Sequence, residues 1–273
     1  MKAAQFEYYK PTTVAEAIDA ISASQGEIKL LGGGQSLGPM LNLRLVRPEL
    51  LIDISGLPEL KKIHNEANVL RIGGAITHAQ IEDKNFEGLT ILSYIARGIA
   101  YRVIRNWGTI GGSLAHADPA ADWPLVLPTL GASIHVIGPS GERSILASEF
   151  MERAFTTKIN DNEIITAIEI PKLSTTARWG YWKFCRKIGE YPDASAMMLL
   201  DPEQKRAELW IGALDGPPKS LNNLAKNLAL RGISAVDDEV YHDELALTIP
   251  ELDPIRRQLI NTAVKRAVSR GFN

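Results

Sequence analysis

Apolar positions along the first part of the chain alternate between a helical and a strand rhythm. Val14, Ala17, Ile18 and Ile21 fall on one helical stripe, and Thr13-Val14-Ala15-Glu16 ahead of them has the form of a capping box. The short apolar run Ile28-Lys29-Leu30-Leu31 reads as a strand that stops at Gly32-Gly33-Gly34. Residues 50–54 and 69–72 read as further strands. Ile91, Ile95, Ile99 and Val103 keep core spacing on one helix predicted from about Thr90 to Arg105, which stops before a second glycine turn at 108–112. Residues 133–137 form the next strand, closed by the turn Gly138-Pro139-Ser140-Gly141.

After about Pro171 the pattern changes. Residues 179–185, 194–200 and 207–213 read as three strands of an antiparallel sheet, and the remainder is helical. Asp253-Pro254 opens the last helix with proline at its first position, and Lys265, Arg266 and Arg270 suit its C-terminal half. The change places a domain boundary near residues 171–178.

Composition narrows the function. The 273 residues carry 30 Lys+Arg against 32 Asp+Glu, a formal charge of −2 with the signs interspersed, so no basic face is available for nucleic acid. No apolar run approaches the roughly 20 residues that cross a bilayer, and the N-terminal residues lack the apolar stretch of a signal peptide; a cytoplasmic protein without a membrane span is expected. The single cysteine, Cys185, cannot ligate a zinc ion or iron–sulfur cluster by itself, and the five histidines are scattered, so no metal site is expected on this chain.

Chemistry is concentrated in the two glycine turns. Consecutive glycines let backbone N–H groups approach an anion, and hydroxyls on Ser36, Thr109 and Ser113 add donors suited to a pyrophosphate; the plainer alternative is that glycine pairs simply make turns. A phosphate loop of the Walker type is excluded because the chain has no Gly-Lys pair. The dinucleotide fingerprint fails at Leu37, where its third glycine belongs, and Pro39 soon afterwards argues against a helix start there. A Ser113-His116-Asp118 hydrolase lacks the strand–turn–helix context of a nucleophile elbow. Asp118 and Asp122 otherwise read as local caps, Tyr191 as an exposed hairpin tyrosine, and the tryptophans at 107, 123, 179 and 182 as core or interface residues.

Gly32-Gly33-Gly34-Gln35-Ser36, Thr109-Ile110-Gly111-Gly112-Ser113, the tail His116 to Asp122 and the turn Arg186-Lys187-Ile188-Gly189-Glu190-Tyr191 occur together and in order. With Phe6-Glu7-Tyr8 and Pro11 at the start, this set resembles the flavin-binding (medium) subunit of the carbon monoxide dehydrogenase and xanthine dehydrogenase (molybdenum hydroxylase) family, over the chain to about residue 215. The resemblance implies an α+β fold: a two-subdomain FAD-binding fold of the vanillyl-alcohol-oxidase (PCMH) type over residues 1–173, divided near 56, then a small C-terminal domain of antiparallel sheet plus helices over 178–273. It implies an FAD cofactor whose pyrophosphate is gripped by Leu31, Gly32, Gly33, Gly34, Gln35, Ser36 and Leu37 and by Thr109, Ile110, Gly111, Gly112 and Ser113. It places Asp122 at the family's flavin-contacting acid, Asp118 near the ribityl chain and Tyr191 against the isoalloxazine. No residue of the chain is implied to act on an organic substrate. A molybdopterin-binding large subunit and a [2Fe-2S] small subunit are the expected partners, the chain relaying electrons from the clusters to an external acceptor. The competing reading is a free-standing FAD-dependent oxidoreductase on the same scaffold, favoured by a C-terminal part that reads as short for the family. Among the departures, Ser113 replaces a common asparagine, and Pro192 restricts the backbone of Tyr191 to extended conformations.

Overall fold

The computed structural model of the protein describes residues 2–237 and 239–273. The first unit is a three-stranded parallel sheet of β1 (Glu7–Tyr9), β2 (Ile28–Leu31) and β3 (Leu50–Asp53), with β3 between the other two. Helix α1 (Val14–Ala23) connects β1 to β2, and α2 (Leu37–Asn42) lies between β2 and β3. Thr13 caps α1 by accepting from the Glu16 amide at 3.1 Å, while the Glu16 carboxylate reaches back to the Thr12 amide rather than that of Thr13. Val14, Ala17 and Ile21 of α1 share a small core with Ile52, Leu57 and Leu60.

A five-stranded antiparallel sheet follows, ordered β4 (Ile63–Asn65), β5 (Val69–Gly73), β10 (Ile164–Pro171), β6 (Ser133–Gly138) and β7 (Gly141–Leu146). Between β5 and β6 run α3 (His78–Glu82), α4 (Ile91–Arg97), α5 (Arg102–Arg105), α6 (Ile110–His116) and α7 (Asp122–Thr129). A short α8 (Ala147–Phe150) and the pair β8 (Met151–Arg153) and β9 (Thr156–Thr157) complete the loop back to β10. Ile134 and Val136 of β6 alternate inward and join Ile168 and Ile170 of β10 in the largest core, which also takes in Trp123 and Leu127 of α7.

The third sheet is antiparallel, ordered β11 (Arg178–Phe184), β12 (Ala194–Asp201), β13 (Arg206–Gly212) and β14 (Lys219–Ser220). Helices α9 (Asn222–Arg231), α10 (Glu239–Thr248) and α11 (Pro254–Phe272) close the chain. Every residue of β12 is buried, because its two faces serve two cores. Met197 and Leu199 pack with the five-stranded sheet and its helices, whereas Ala196, Met198 and Leu200 pack with α9 and α11. That double burial is why 194–200 reads as an unbroken apolar run rather than an alternating one. Among the described residues no helix is long and apolar enough to cross a membrane.

Three expected elements differ. The single helix of 90–105 is two helices, α4 and α5, broken at Gly98–Tyr101 where Ala100 is left-handed (φ 42°). The carbonyls freed by the break are taken by two cations: half-buried Lys183 donates through Nζ to the Gly98 oxygen at 2.9 Å, and buried Arg105 donates to those of Ile99 and Ala100 at 2.9 Å each. The second glycine turn is instead the first turn of α6, which Thr109 caps. A helix also begins after the first glycine turn, since Pro39 falls in the first turn of α2, where it deprives the helix of no hydrogen bond.

Candidate functional site

The two glycine segments meet. Strand β2 delivers Gly32–Ser36 to the C-terminal edge of the parallel sheet, while α5 delivers Trp107–Thr109 opposite. A Cβ on Gly33 would lie 1.9 Å from the Trp107 carbonyl oxygen, and one on Gly32 would lie 3.2 Å from the Thr109 hydroxyl. Only glycine at 33 allows these two main chains to touch. Gly34 adopts a left-handed φ of 71°, and its carbonyl accepts from the Gly38 amide at 2.8 Å as α2 begins.

The amide donors of the two segments are spent differently. Among the described residues, no protein acceptor faces the main-chain amides of Gly33, Gly34, Gln35 and Ser36. In α6, by contrast, the Ile110 amide bonds the Ile76 carbonyl at 3.0 Å, that of Gly111 bonds Gly74 at 2.9 Å, and that of Gly112 bonds the Thr109 hydroxyl at 3.0 Å. Gly111 is small for a packing reason, because its Cβ would sit 2.6 Å from the Gly74 carbonyl oxygen. The first segment is thus a row of unpaired donors, half-buried apart from exposed Gln35, at a parallel strand's C-terminal end. The second segment, buried at Thr109, Ile110 and Gly111 and exposed at Gly112, contributes the positive end of a capped helix and the hydroxyl of half-buried Ser113. Leu31 and Leu37 flank the row as the last residue of β2 and the first of α2. This donor set fits a pyrophosphate.

Beyond α6 the chain turns through left-handed Ala117 (φ 50°) into the Asp118–Asp122 segment. The Asp118 carboxylate accepts from the Ala120 amide at 2.9 Å, a local turn. Asp122 opens α7 but makes no cap. Its buried carboxylate accepts from Tyr181 Oη at 2.5 Å and from Lys183 Nζ at 2.9 and 3.1 Å. Burial, followed by the Asp122 charge, raises the Tyr181 phenol well above its ordinary range. Tyr191 lies on the 185–193 hairpin, closed by the Asp193 amide on the Phe184 carbonyl at 2.8 Å. Desolvation and then the Asp118 and Asp122 carboxylates raise its phenol too, so the three groups share one electrostatic neighbourhood although the Tyr191 residue is 61% exposed. Gly189 anchors the hairpin on the 98–101 turn, its Cβ position 2.7 Å from the Ala100 carbonyl oxygen.

The sequence reading did not single out Lys183, Tyr181 or the 98–101 turn. A signal existed: Lys183 interrupts an apolar strand on the same face as Tyr181 and Trp179, and a lysine there requires a buried partner.

Residues 4–173 match the family model described as the FAD binding domain in molybdopterin dehydrogenase. The chain is 32% identical over its whole length to the 6-hydroxypseudooxynicotine dehydrogenase complex subunit alpha of Paenarthrobacter nicotinovorans, of which the match covers 96%. It is 35% identical to the nicotine 6-hydroxylase medium subunit of the same organism, over 76% of this chain and 72% of that one. Among solved structures, a chain of the carbon monoxide dehydrogenase of Hydrogenophaga pseudoflava lacking the Mo-pyranopterin moiety superposes with TM-score 0.91 at 28% identity, covering 100% of this chain and 99% of that one. The C-terminal part is therefore not short, contrary to the sequence expectation. The PCMH-type α+β fold with a C-terminal domain, the FAD cofactor and the oxidoreductase class follow, and the chain belongs to the FAD-binding medium subunits of the molybdenum hydroxylase family.

Proposed function

We propose that this chain carries FAD as the electron-relay subunit of a molybdenum hydroxylase complex, taking electrons from [2Fe-2S] clusters of a small partner subunit and passing them to an external acceptor. A molybdopterin-binding large subunit would carry the substrate chemistry. The observation that supports the reading most directly is the row of unpaired amides at Gly33–Ser36, held against the capped start of α6. In this reading the division falls near residues 173–178, between an FAD-binding part and a C-terminal part that contributes Tyr191.

The residues have separate tasks. The amides of Gly33, Gly34, Gln35 and Ser36 bind the pyrophosphate, with the Leu31 and Leu37 main chain beside them. Thr109, Ile110, Gly111, Gly112 and Ser113 aim the positive end of α6 at the same charge. Asp118 and Asp122 accept hydrogen bonds from the ribityl and ring portions, and Tyr191 covers the ring and limits water access. Bound FAD supplies a carrier that accepts electrons singly and releases them as a pair. No proton transfer by this chain is required. Cys185 alone cannot hold a cluster, so in this reading the clusters belong to a partner subunit.

The visible absorption spectrum of the purified protein, with identification of the cofactor released on denaturation, tests the first part. Flavin bands and recovered FAD are expected. A colourless protein that FAD cannot reconstitute, alone or with its co-expressed neighbours, overturns it. Co-purification of a cluster-bearing chain and a molybdopterin-bearing chain tests the second part.

A further inference from the structure

Resting on the FAD site described above, we propose that Lys183 is a positioning residue that holds the Asp122 carboxylate in place and balances its charge beside the flavin.

Lys183 stands at the junction of the three segments that frame the site. It belongs to β11, the strand that leads directly into the Tyr191 hairpin. Its ammonium holds both oxygens of Asp122, the first residue of α7, at 2.9 and 3.1 Å. It also donates to the Gly98 carbonyl at 2.9 Å, fixing the turn on which Gly189 rests. One side chain thereby sets α7, the 98–101 turn and the hairpin relative to one another.

The charges are shielded from water, with side-chain exposures of 12% for Lys183 and 8% for Asp122, so solvent and salt screen their fields weakly. Apolar replacements of buried ion pairs are commonly neutral or stabilising, so stability alone does not account for the pair. Oδ1 of Asp122 accepts from both Tyr181 and Lys183, whereas Oδ2 accepts from Lys183 alone, which leaves Oδ2 with capacity for a further donor. Reducing a flavin adds negative charge to its ring system, so a neighbouring cation raises its midpoint potential and a neighbouring carboxylate lowers it. The intact pair is neutral, and removing either partner unbalances it in a defined direction.

The test is a redox titration of FAD bound to the full chain, together with whatever subunits co-purify, reading FAD content and midpoint potential for four variants. Lys183→Met should lower the potential and Asp122→Asn should raise it. The double variant should return it toward the parent value, and Lys183→Arg should stay near that value. If all variants that retain FAD keep the parent potential while only their melting temperatures fall, the pair is merely structural and the proposal is overturned. If Asp122→Asn leaves both FAD content and potential unchanged, the placement of Asp122 at the flavin fails as well. A shift with Asp122→Asn but none with Lys183→Met overturns the role of Lys183 alone. Should Lys183→Met not fold, the double variant is compared with Asp122→Asn: a lower potential in the double variant supports the proposal, and equal potentials overturn it.

Discussion

The main chain of Gly33 lies against that of Trp107 so closely that a methyl group at residue 33 would sit 1.9 Å from the Trp107 carbonyl oxygen. A carbonyl in a short turn cannot swing aside as a flexible side chain can, so Gly33→Ala must push the two segments apart. The expected cost is about 1–3 kcal/mol of stability, as for overpacked sites generally, together with loss of most of the bound FAD. Gly38→Ala is the control, since its methyl meets nothing within 4 Å and falls within α2. That variant should keep its FAD and gain roughly 0.5 kcal/mol. FAD per chain and thermal unfolding of both proteins decide the matter; equal FAD contents would remove the contact from the account of binding.

The hydroxyl of Thr109 couples the same two segments in a second way. It accepts the Gly112 amide at 3.0 Å and lies where a Cβ on Gly32 would meet it at 3.2 Å. Thr109→Ala should cost about 1 kcal/mol as a lost helix cap, and Thr109→Ser should restore it. Urea unfolding measures both, and FAD affinity should fall in parallel for the alanine variant only.

Local rules made the strands and the capped α1 legible, because Val14, Ala17 and Ile21 share one helical face and 28–31 is bounded by glycines. The same rules missed the break between α4 and α5. Its carbonyls are satisfied by Arg105 and by Lys183, the latter 85 residues away, and no local pattern reports a partner at that distance. Pro39 misled for a different reason: its place in the first turn of α2 depends on where the helix starts, which the glycines before it left undetermined. At the site, the glycine turns stood out by their pattern and Asp122 only through the family resemblance, yet which amides stay unpaired depends on the approach of Gly74 and Ile76 to α6. The Lys183 contact with Asp122 spans 61 residues and joins elements that sequence places in separate parts of the fold.

Arg105 should matter more than its distance from the glycine row suggests. Its buried guanidinium holds Glu82 at 2.8 Å and the Ile99 and Ala100 carbonyls of the helix break, which supports the turn under the Tyr191 hairpin. Arg105→Met leaves those carbonyls without donors and Glu82 with only its more exposed arginine partners. A loss of about 3 kcal/mol is expected. Limited proteolysis should then cut within 98–101 or 185–193 first, whereas cleavage elsewhere would show that the turn stands without Arg105.

His78 supplies a pH dependence with a definite sign. Burial, and then the Arg105 charge, lower its pKa to about 4, and its Nδ1 accepts from Trp123 Nε1 at 3.2 Å, which requires the neutral ring. The ordinary value of 6.5 applies in the unfolded chain, so on acidification the unfolded state takes up its proton first. The stability contributed by neutral His78 is therefore complete above about pH 6.5 and lost progressively down to about pH 4. At pH 5 the loss amounts to roughly 2 kcal/mol relative to pH 7.5. The His78 amide bonds the Gly108 carbonyl at 2.9 Å, so the loosening is felt at the turn that carries Trp107 and Thr109. His78→Gln keeps an acceptor for the indole but cannot titrate, so denaturant unfolding of that variant should show a smaller fall between pH 7.5 and pH 5. Parallel falls in the two proteins would mean that His78 is not the group whose protonation unsettles the site.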